Sequence, residues 1–176
     1  MYITEDVLSL STFSKKWLNI LNDKNMNRWG TTVKSSFSDI VETTTLDSLI
    51  KEFGSPYYIK IDVEGYEVKV IRGLTQKIPL LSFEANLPEF LEETQLCISH
   101  LSSIDINAKF NYTSDRFCFE NKDWLDFNDF IYFLNNQELR YMEIFCKMPV
   151  DVLSLVSDNL PRCSSPGSDL SISPGG

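Results

Sequence analysis

An apolar run that ends in two carboxylates and a glycine constrains the fold of this chain most. Residues 57–63 read Tyr-Tyr-Ile-Lys-Ile-Asp-Val and follow a Gly-Ser-Pro turn signal, which predicts a β-strand. Residues 67–74 have apolar positions at helical spacing and a glycine near their end, which predicts a helix. Ligands of open α/β sheets bind where such a strand ends. Three residues are predicted to lie there: Asp62, Glu64 and Gly65.

The rest of the chain to residue 150 is predicted to alternate between helices and strands. Further helices are expected at 11–21, 45–53, 88–101 and 126–134, with Ser11 or Thr12 capping the first and Pro88 in the first turn of the third. Further strands are expected at 41–44, 80–85, 108–113, 116–119 and 141–148. Composition and pattern alone therefore indicate an α/β fold that contains part of a doubly wound sheet.

Length and composition predict one domain and a tail. A chain of 176 residues has room for a single sizeable core. Serine, proline and glycine dominate residues 160–176, and such a composition cannot bury a core. We expect one domain over residues 1–150 and a disordered tail over residues 151–176.

The net charge and the lengths of the apolar runs argue against several classes of partner, and the cysteine spacing indicates the redox state of the thiols. A net charge of −9 argues against nucleic acid and against a polybasic membrane anchor. No apolar run is long enough to span a membrane, and the N-terminus lacks the basic region of a signal peptide. Four widely spaced cysteines indicate reduced, mostly buried thiols in a cytoplasmic protein: Cys97, Cys118, Cys146 and Cys163.

Four motifs follow one another along the chain: Thr44-Thr45-Leu46-Asp47, Lys60-Ile61-Asp62-Val63-Glu64-Gly65-Tyr66-Glu67, Arg72-Gly73-Leu74 and Leu81-Ser82-Phe83-Glu84. Their order and spacing resemble the FkbM family of S-adenosylmethionine-dependent methyltransferases, and a looser resemblance covers residues 2–148. The resemblance implies the second half of a class I, Rossmann-like methyltransferase sheet. It also implies methyl transfer from S-adenosylmethionine to a hydroxyl on a sugar, a natural product or a lipid headgroup.

The chain departs from the family pattern at one point. Family members carry an upstream strand that ends in an Asp-x-Gly-type loop, which cradles the cofactor. The chain has seven glycines, at positions 30, 54, 65, 73, 167, 175 and 176. None of them belongs to a Gly-x-Gly segment between a strand and a helix. We therefore expect an N-terminally incomplete methyltransferase domain. The alternative is a non-catalytic remnant or interaction module that does not bind the cofactor.

The strand-end carboxylates leave several interpretations open. Lys60 and Asp62 share a face of their strand, so Asp62 either completes a buried ion pair or acts on the cofactor or the acceptor hydroxyl. Glu84 ends the next strand and should lie beside them in a parallel sheet. A carboxylate of the set Asp62, Glu64 and Glu84 could accept the hydroxyl proton, or the three could gather a divalent cation. The resemblance places Asp62 and Gly65 at the cofactor.

The predicted strand at 57–63 should also leave an edge open. In the inferred sheet it neighbours the first strand of the fold, which we expect this chain to lack. An unpaired apolar edge is a template for pairing with another chain, so self-association is expected. Folding of residues 1–40 over that edge is the alternative.

Overall fold

The computed structural model describes residues 1–4, 11–23, 35–114 and 118–149, and these form eleven helices and strands. In chain order they are β1 (Tyr2–Thr4), α1 (Lys15–Asn22), β2 (Ser35–Ser38), α2 (Leu46–Phe53), β3 (Tyr58–Ile61), α3 (Glu67–Ile71), β4 (Leu80–Asn86), α4 (Leu91–Ile104), β5 (Lys109–Thr113), α5 (Phe127–Asn136) and β6 (Tyr141–Lys147).

Four strands form one mixed sheet in the order β3-β4-β6-β5. β3 and β4 are parallel, with Ile61 beside Phe83, whereas β6 runs antiparallel to both of its neighbours, β4 and β5. β1 and β2 form a separate two-stranded antiparallel sheet. The prediction of an α/β fold is confirmed, and the mixed sheet with its helices is compatible with part of a Rossmann-like methyltransferase fold.

One face of the four-stranded sheet carries the core. Phe83 in β4, Phe110 in β5 and Ile144 in β6 are fully buried there. The apolar positions of α4 and α5 recur at helical spacing and pack into the same cluster, with Ile98 and Phe130 fully buried. The core therefore forms between the sheet and these two helices.

The opposite face of the sheet is polar. Alternate residues of a strand point to opposite faces, so the register brings polar side chains of neighbouring strands side by side. Lys60, Ser82 and Asn111 lie in one such row, interrupted by Phe145. Asn111 is fully buried and donates from Nδ2 to the carbonyl oxygen of Asn121 at 2.8 Å, which holds the loop after β5 against this face.

Two predicted caps are confirmed and one is wrong. Thr45 caps α2 and Asp126 caps α5, each accepting a backbone N–H with its side chain. α1 is capped by Ser14, which accepts from Trp17 N at 3.1 Å, and not by Ser11 or Thr12. Thr12 instead pairs with β1 through a backbone bridge, so its backbone belongs to that pairing and not to a helix start.

Three other boundaries differ from the predictions. Residues 41–44 form no strand, and the strand of this region is β2, which pairs with β1. α4 begins at Leu91 because Pro88 belongs to a turn, in which Phe90 N donates to Asn86 O at 2.9 Å. Of the predicted strand 116–119, residues 116–117 lie outside the described residues, and 118–119 are not extended into a strand.

The described residues contain three of the four cysteines. No helix among the described residues has the length and apolar character that crossing a membrane requires. Cys97 and Cys146 are buried free thiols, whereas Cys118 is exposed. Cys163 and the predicted tail lie outside the described residues.

Candidate functional site

Two parallel strands end at the same edge of the sheet and bring the predicted site residues together. Asp62 and Glu64 follow the end of β3, and Glu84 lies near the end of β4. The carboxylates of Asp62 and Glu84 are close enough to Glu64 to raise its pKa. The carboxyl ends of β3 and β4 therefore form one acidic edge.

The turn after β3 has two residues in the left-handed region, Glu64 at φ 50° and Gly65 at φ 84°. A left-handed non-glycine residue costs on the order of 1 kcal/mol and needs support from its surroundings. Thr12 supplies part of it, because its hydroxyl donates to Glu64 O at 2.6 Å. Glu67 accepts from Gly65 N at 3.1 Å. These bonds hold the half-buried Glu64 side chain at the acidic edge.

Glu64 has a strongly perturbed carboxyl group. Burial is the main cause that raises its pKa from 4.5 to about 7, and the charges of Glu84, Asp62 and Glu67 add to it. A carboxyl group with a pKa near 7 is partly ionised at neutral pH and can both accept and return a proton there. Such a group is a candidate general base.

Lys60 connects two of the carboxylates. Its Nζ lies 3.1 Å from Asp62 Oδ2 and 3.8 Å from Glu84 Oε1. The interpretation of Lys60 and Asp62 as a buried ion pair is wrong, because their side chains are 41% and 45% exposed. The physical reason is that β3 is the outermost strand of its sheet among the described residues, which leaves these side chains open to solvent on that side. An exposed pair adds little stability, on the order of 0–1 kcal/mol.

Glu84 is held on the polar face by a second contact. Its side chain is only 11% exposed, and Tyr141 in β6 donates to Glu84 Oε1 at 2.9 Å. Since β4 and β6 pair in antiparallel register, Tyr141 reaches Glu84 from the neighbouring strand. The carboxylate of Glu84 is thus oriented from both sides, by Lys60 and by Tyr141.

A second hydrogen-bonded group lies on the same polar face. Ser82 Oγ donates to Glu143 Oε1 at 2.7 Å. Tyr58 OH lies 2.6 Å from Ser82 Oγ and therefore donates to it, because Ser82 uses its proton toward Glu143. Sequence reasoning did not name Tyr58, Ser82, Tyr141 or Glu143 as site residues. The available signal was the recurrence of polar residues at every second position of otherwise apolar strands.

Gly65 is a point of close packing. A Cβ atom at this position would lie 2.8 Å from Phe90 Cζ and 3.3 Å from Ser14 Oγ. A cavity of about 10 Å³, about the space of one water molecule, lies beside it. The side of Gly65 that faces Phe90 is closed, so a ligand would have to approach the backbone of this turn from another direction.

A metal centre has no support in the described ranges. No group of three or more His, Cys, Asp and Glu side chains there has an arrangement that could hold a metal ion. Asp62, Glu64 and Glu84 share an edge, but Lys60 neutralises part of their charge. The described residues therefore do not support the divalent-cation interpretation of these carboxylates.

Comparison with known proteins adds one finding. A family model described as the methyltransferase FkbM domain matches residues 5–138. This range covers more than half of the chain and contains all four predicted site residues: Asp62, Glu64, Gly65 and Glu84. No curated protein and no solved structure is significantly similar to the chain.

Proposed function

The chain belongs to the FkbM methyltransferase family, and from this premise we propose that it methylates a hydroxyl oxygen of a small-molecule acceptor with S-adenosylmethionine. A sugar, a natural product and a lipid headgroup all present such hydroxyls. The observation that carries the proposal is the convergence of Asp62, Glu64 and Glu84 at the ends of two adjacent parallel strands. The domain would occupy residues 1–150.

The chemical task of the protein is alignment and proton removal. S-adenosylmethionine, when bound, supplies an electrophilic methyl group on a sulfonium. The acceptor oxygen would form the new bond to the methyl carbon while the carbon–sulfur bond breaks and S-adenosylhomocysteine leaves, and a base must take the hydroxyl proton. Glu64 suits the task best because its pKa of about 7 lies near the working pH. The proton on Glu64 then passes to solvent.

Asp62 and Glu84 would support Glu64 in different ways. Both carry negative charge toward Glu64 and so keep its pKa high. Glu84, held by Tyr141, is the better-oriented acceptor for a hydroxyl hydrogen bond. Asp62 is 45% exposed and lies at the strand end, so it can reach the cofactor together with the backbone of Gly65.

The described residues fit the cofactor only in part. Carboxylates at the strand ends suit the hydroxyl groups and the positive charge of S-adenosylmethionine. Gly65, however, is closed on one side by Phe90 and Ser14, and the sequence contains no strand-Gly-x-Gly-helix segment. The chain would therefore hold the acceptor side of the reaction more firmly than the cofactor side.

We predict that this chain alone binds S-adenosylmethionine weakly, with a dissociation constant in the millimolar range or no measurable heat. The reason is the absence of a glycine-rich loop whose backbone could approach the cofactor closely. Isothermal titration of the purified chain measures it, with S-adenosylhomocysteine as a second ligand. Micromolar affinity for either ligand would contradict the prediction.

The proposed reaction itself is tested by product formation. The chain is incubated with millimolar S-adenosylmethionine and a panel of sugars, phenols and polyols, and S-adenosylhomocysteine is quantified. Release that depends on one acceptor class supports the proposal. No release with any acceptor would favour the alternative, a non-catalytic interaction module.

The raised pKa of Glu64 predicts a pH-dependent stability. The native pKa of about 7 lies above the ordinary 4.5, so the folded state binds this proton more tightly than the unfolded state. The stabilisation is fully present below pH 4.5 and is lost as the pH rises through 7. Allowing for solvent screening of this half-buried side chain, the loss is about 1–2 kcal/mol.

The variant Glu64→Gln isolates this effect. At pH 4.5, urea unfolding should give wild type and variant similar free energies of unfolding. At pH 8, the free energy of unfolding of the variant should exceed that of wild type by about 1–2 kcal/mol. Glu92→Gln, at an exposed position in the first turn of α4, is the control and should show no such gain. An equal pH dependence in wild type and Glu64→Gln would show that Glu64 titrates normally.

We also propose a cytoplasmic location. Cys97 and Cys146 are free thiols, as is usual in a reducing compartment. Burial raises the pKa of both thiols, so they remain neutral and unreactive in the core.

The net charge of −9 supports the expectation that the partner is a small molecule and not a nucleic acid.

A further inference from the structure

One edge of the four-stranded sheet is unpaired within the described residues. β3 is the terminal strand of the sheet and hydrogen-bonds to β4. Leu80 N donates to Tyr57 O, so Tyr57, Ile59 and Ile61 direct their backbone groups toward β4. Because these groups alternate along a strand, the outward donors and acceptors belong to the other set: Tyr58, Lys60 and Asp62.

Side chains along this edge are open to solvent. Tyr57 is 67% exposed and Tyr58 is 41% exposed. The charged pair Lys60 and Asp62 lies directly on the edge, with side chains 41% and 45% exposed. Edge strands with exposed backbone groups are templates for pairing with another strand.

We propose that the occupant of this edge is a second copy of the same chain. The two β3 strands would pair antiparallel about a two-fold axis at Ile61, so that Lys60 of one copy lies opposite Asp62 of the other. The two copies would then share one continuous eight-stranded sheet. Such an interface is isologous, because the same patch serves both copies.

The charges select this register. With the axis at Ile61, the backbone of Lys60 in one copy exchanges hydrogen bonds with the backbone of Asp62 in the other copy. Each lysine side chain then faces a carboxylate. Moving the axis by one residue to Lys60 also aligns outward backbone groups, but it places Lys60 opposite Lys60. Opposite charges in directly facing positions stabilise a strand pair, and like charges destabilise it.

A lysine on an edge strand normally opposes strand pairing. Here Asp62 lies two residues after Lys60. In this one register its negative charge faces the lysine of the other copy, so the lysine no longer opposes pairing. The exposed ion pair within each copy, at 3.1 Å, would become part of a network of two lysines and two aspartates. The charge pattern is therefore self-complementary.

The apolar side of the edge offers further contact area. A groove of about 370 Å³ runs between α2 and β3, lined mostly by apolar side chains: Leu46, Leu49, Ile50, Phe53, Pro56 and Ile59. Phe53 at its border is 75% exposed. In the proposed register Val63 of the second copy lies opposite Ile59, beside this groove. Apolar burial there would supplement the few backbone hydrogen bonds of a short strand.

Charge reversal tests the register directly. Sedimentation velocity at micromolar concentration should show a dimer for the wild-type chain. Lys60→Asp places aspartates opposite each other, and Asp62→Lys places lysines opposite each other. Each single variant should weaken self-association at least about tenfold, whereas the double variant with both changes should regain the dimer.

Mixing the two single variants provides a matched control, because Lys60→Asp and Asp62→Lys complement each other across the two-fold axis. The mixture should form heterodimers, although each variant alone is monomeric. Circular dichroism checks that each variant remains folded. A monomeric wild type would overturn the proposal and favour an edge filled by a different polypeptide, and dimers in both single variants would overturn the register. Asp62 also belongs to the proposed site, but sedimentation is measured without cofactor or acceptor, so these outcomes are separate from the fate of the proposed function.

Discussion

Methyl transfer is expected to fall by about a hundredfold or more when Asp62 is replaced by asparagine or Glu84 by glutamine, a loss on the scale of acid-base catalysis, because both carboxylates support the base Glu64. Each change keeps the shape of the side chain and removes its charge. The lost charge lowers the pKa of Glu64 and removes an acceptor for the substrate hydroxyl. The rate of S-adenosylhomocysteine release, with the acceptor that supports the fastest turnover, measures the effect.

The controls separate chemistry from folding. In Glu84→Gln the amide oxygen can still accept from Tyr141, so the hydrogen bond at 2.9 Å has a replacement. Asp62→Asn loses an exposed ion pair that contributes little to stability. Thermal melting should therefore change little in either variant, and Glu92→Gln should keep the full rate. Full activity in Asp62→Asn or Glu84→Gln would assign that residue a structural role.

Phe83→Ala is expected to lower the free energy of unfolding by about 3–5 kcal/mol, a large part of the stability of an ordinary domain. Phe83 is fully buried in β4, between the parallel neighbour β3 and the antiparallel neighbour β6. Its removal leaves a cavity that the strands around it cannot close. Urea unfolding of wild type and variant gives the difference.

Phe53→Ala is the matched control for this change. The same side chain is lost, but Phe53 is 75% exposed at the end of α2. In the monomeric chain its replacement should change stability by less than about 0.5 kcal/mol. Equal losses in the two variants would mean that the sheet face which carries Phe83 is not the core of the domain.

The strand-turn-helix unit at the centre of the chain was predictable because its signals are local. β-Branched and aromatic residues favour β3, and the Glu64–Gly65 pair makes the turn that the glycine indicates. The caps Thr45 and Asp126 likewise act on backbone groups a few residues away. Local interactions of this kind leave a direct trace in the order of residues.

Contacts between distant parts of the chain left no such trace. The hydroxyl of Thr12 donates to the carbonyl oxygen of Glu64, which lies 52 residues further along the chain. Thr12 is therefore engaged in a distant contact, and Ser14 caps α1 in its place. β6 inserts between β4 and β5, which brings Glu143 to Ser82 across 61 residues. The sequence predicted β6 as a strand but could not assign its neighbours.

By itself the sequence determined the alternation of helices and strands and the position of Asp62, Glu64 and Glu84 at strand ends, because residue spacing alone encodes both. Only the tertiary structure decided that β3 is the outermost described strand of its sheet, that Lys60 and Asp62 are exposed, and that Glu64 is half-buried beside other carboxylates. Exposure and pKa depend on which residues surround a group in space. Those neighbours come from segments far apart in the chain, so they exist only once the sheet has formed.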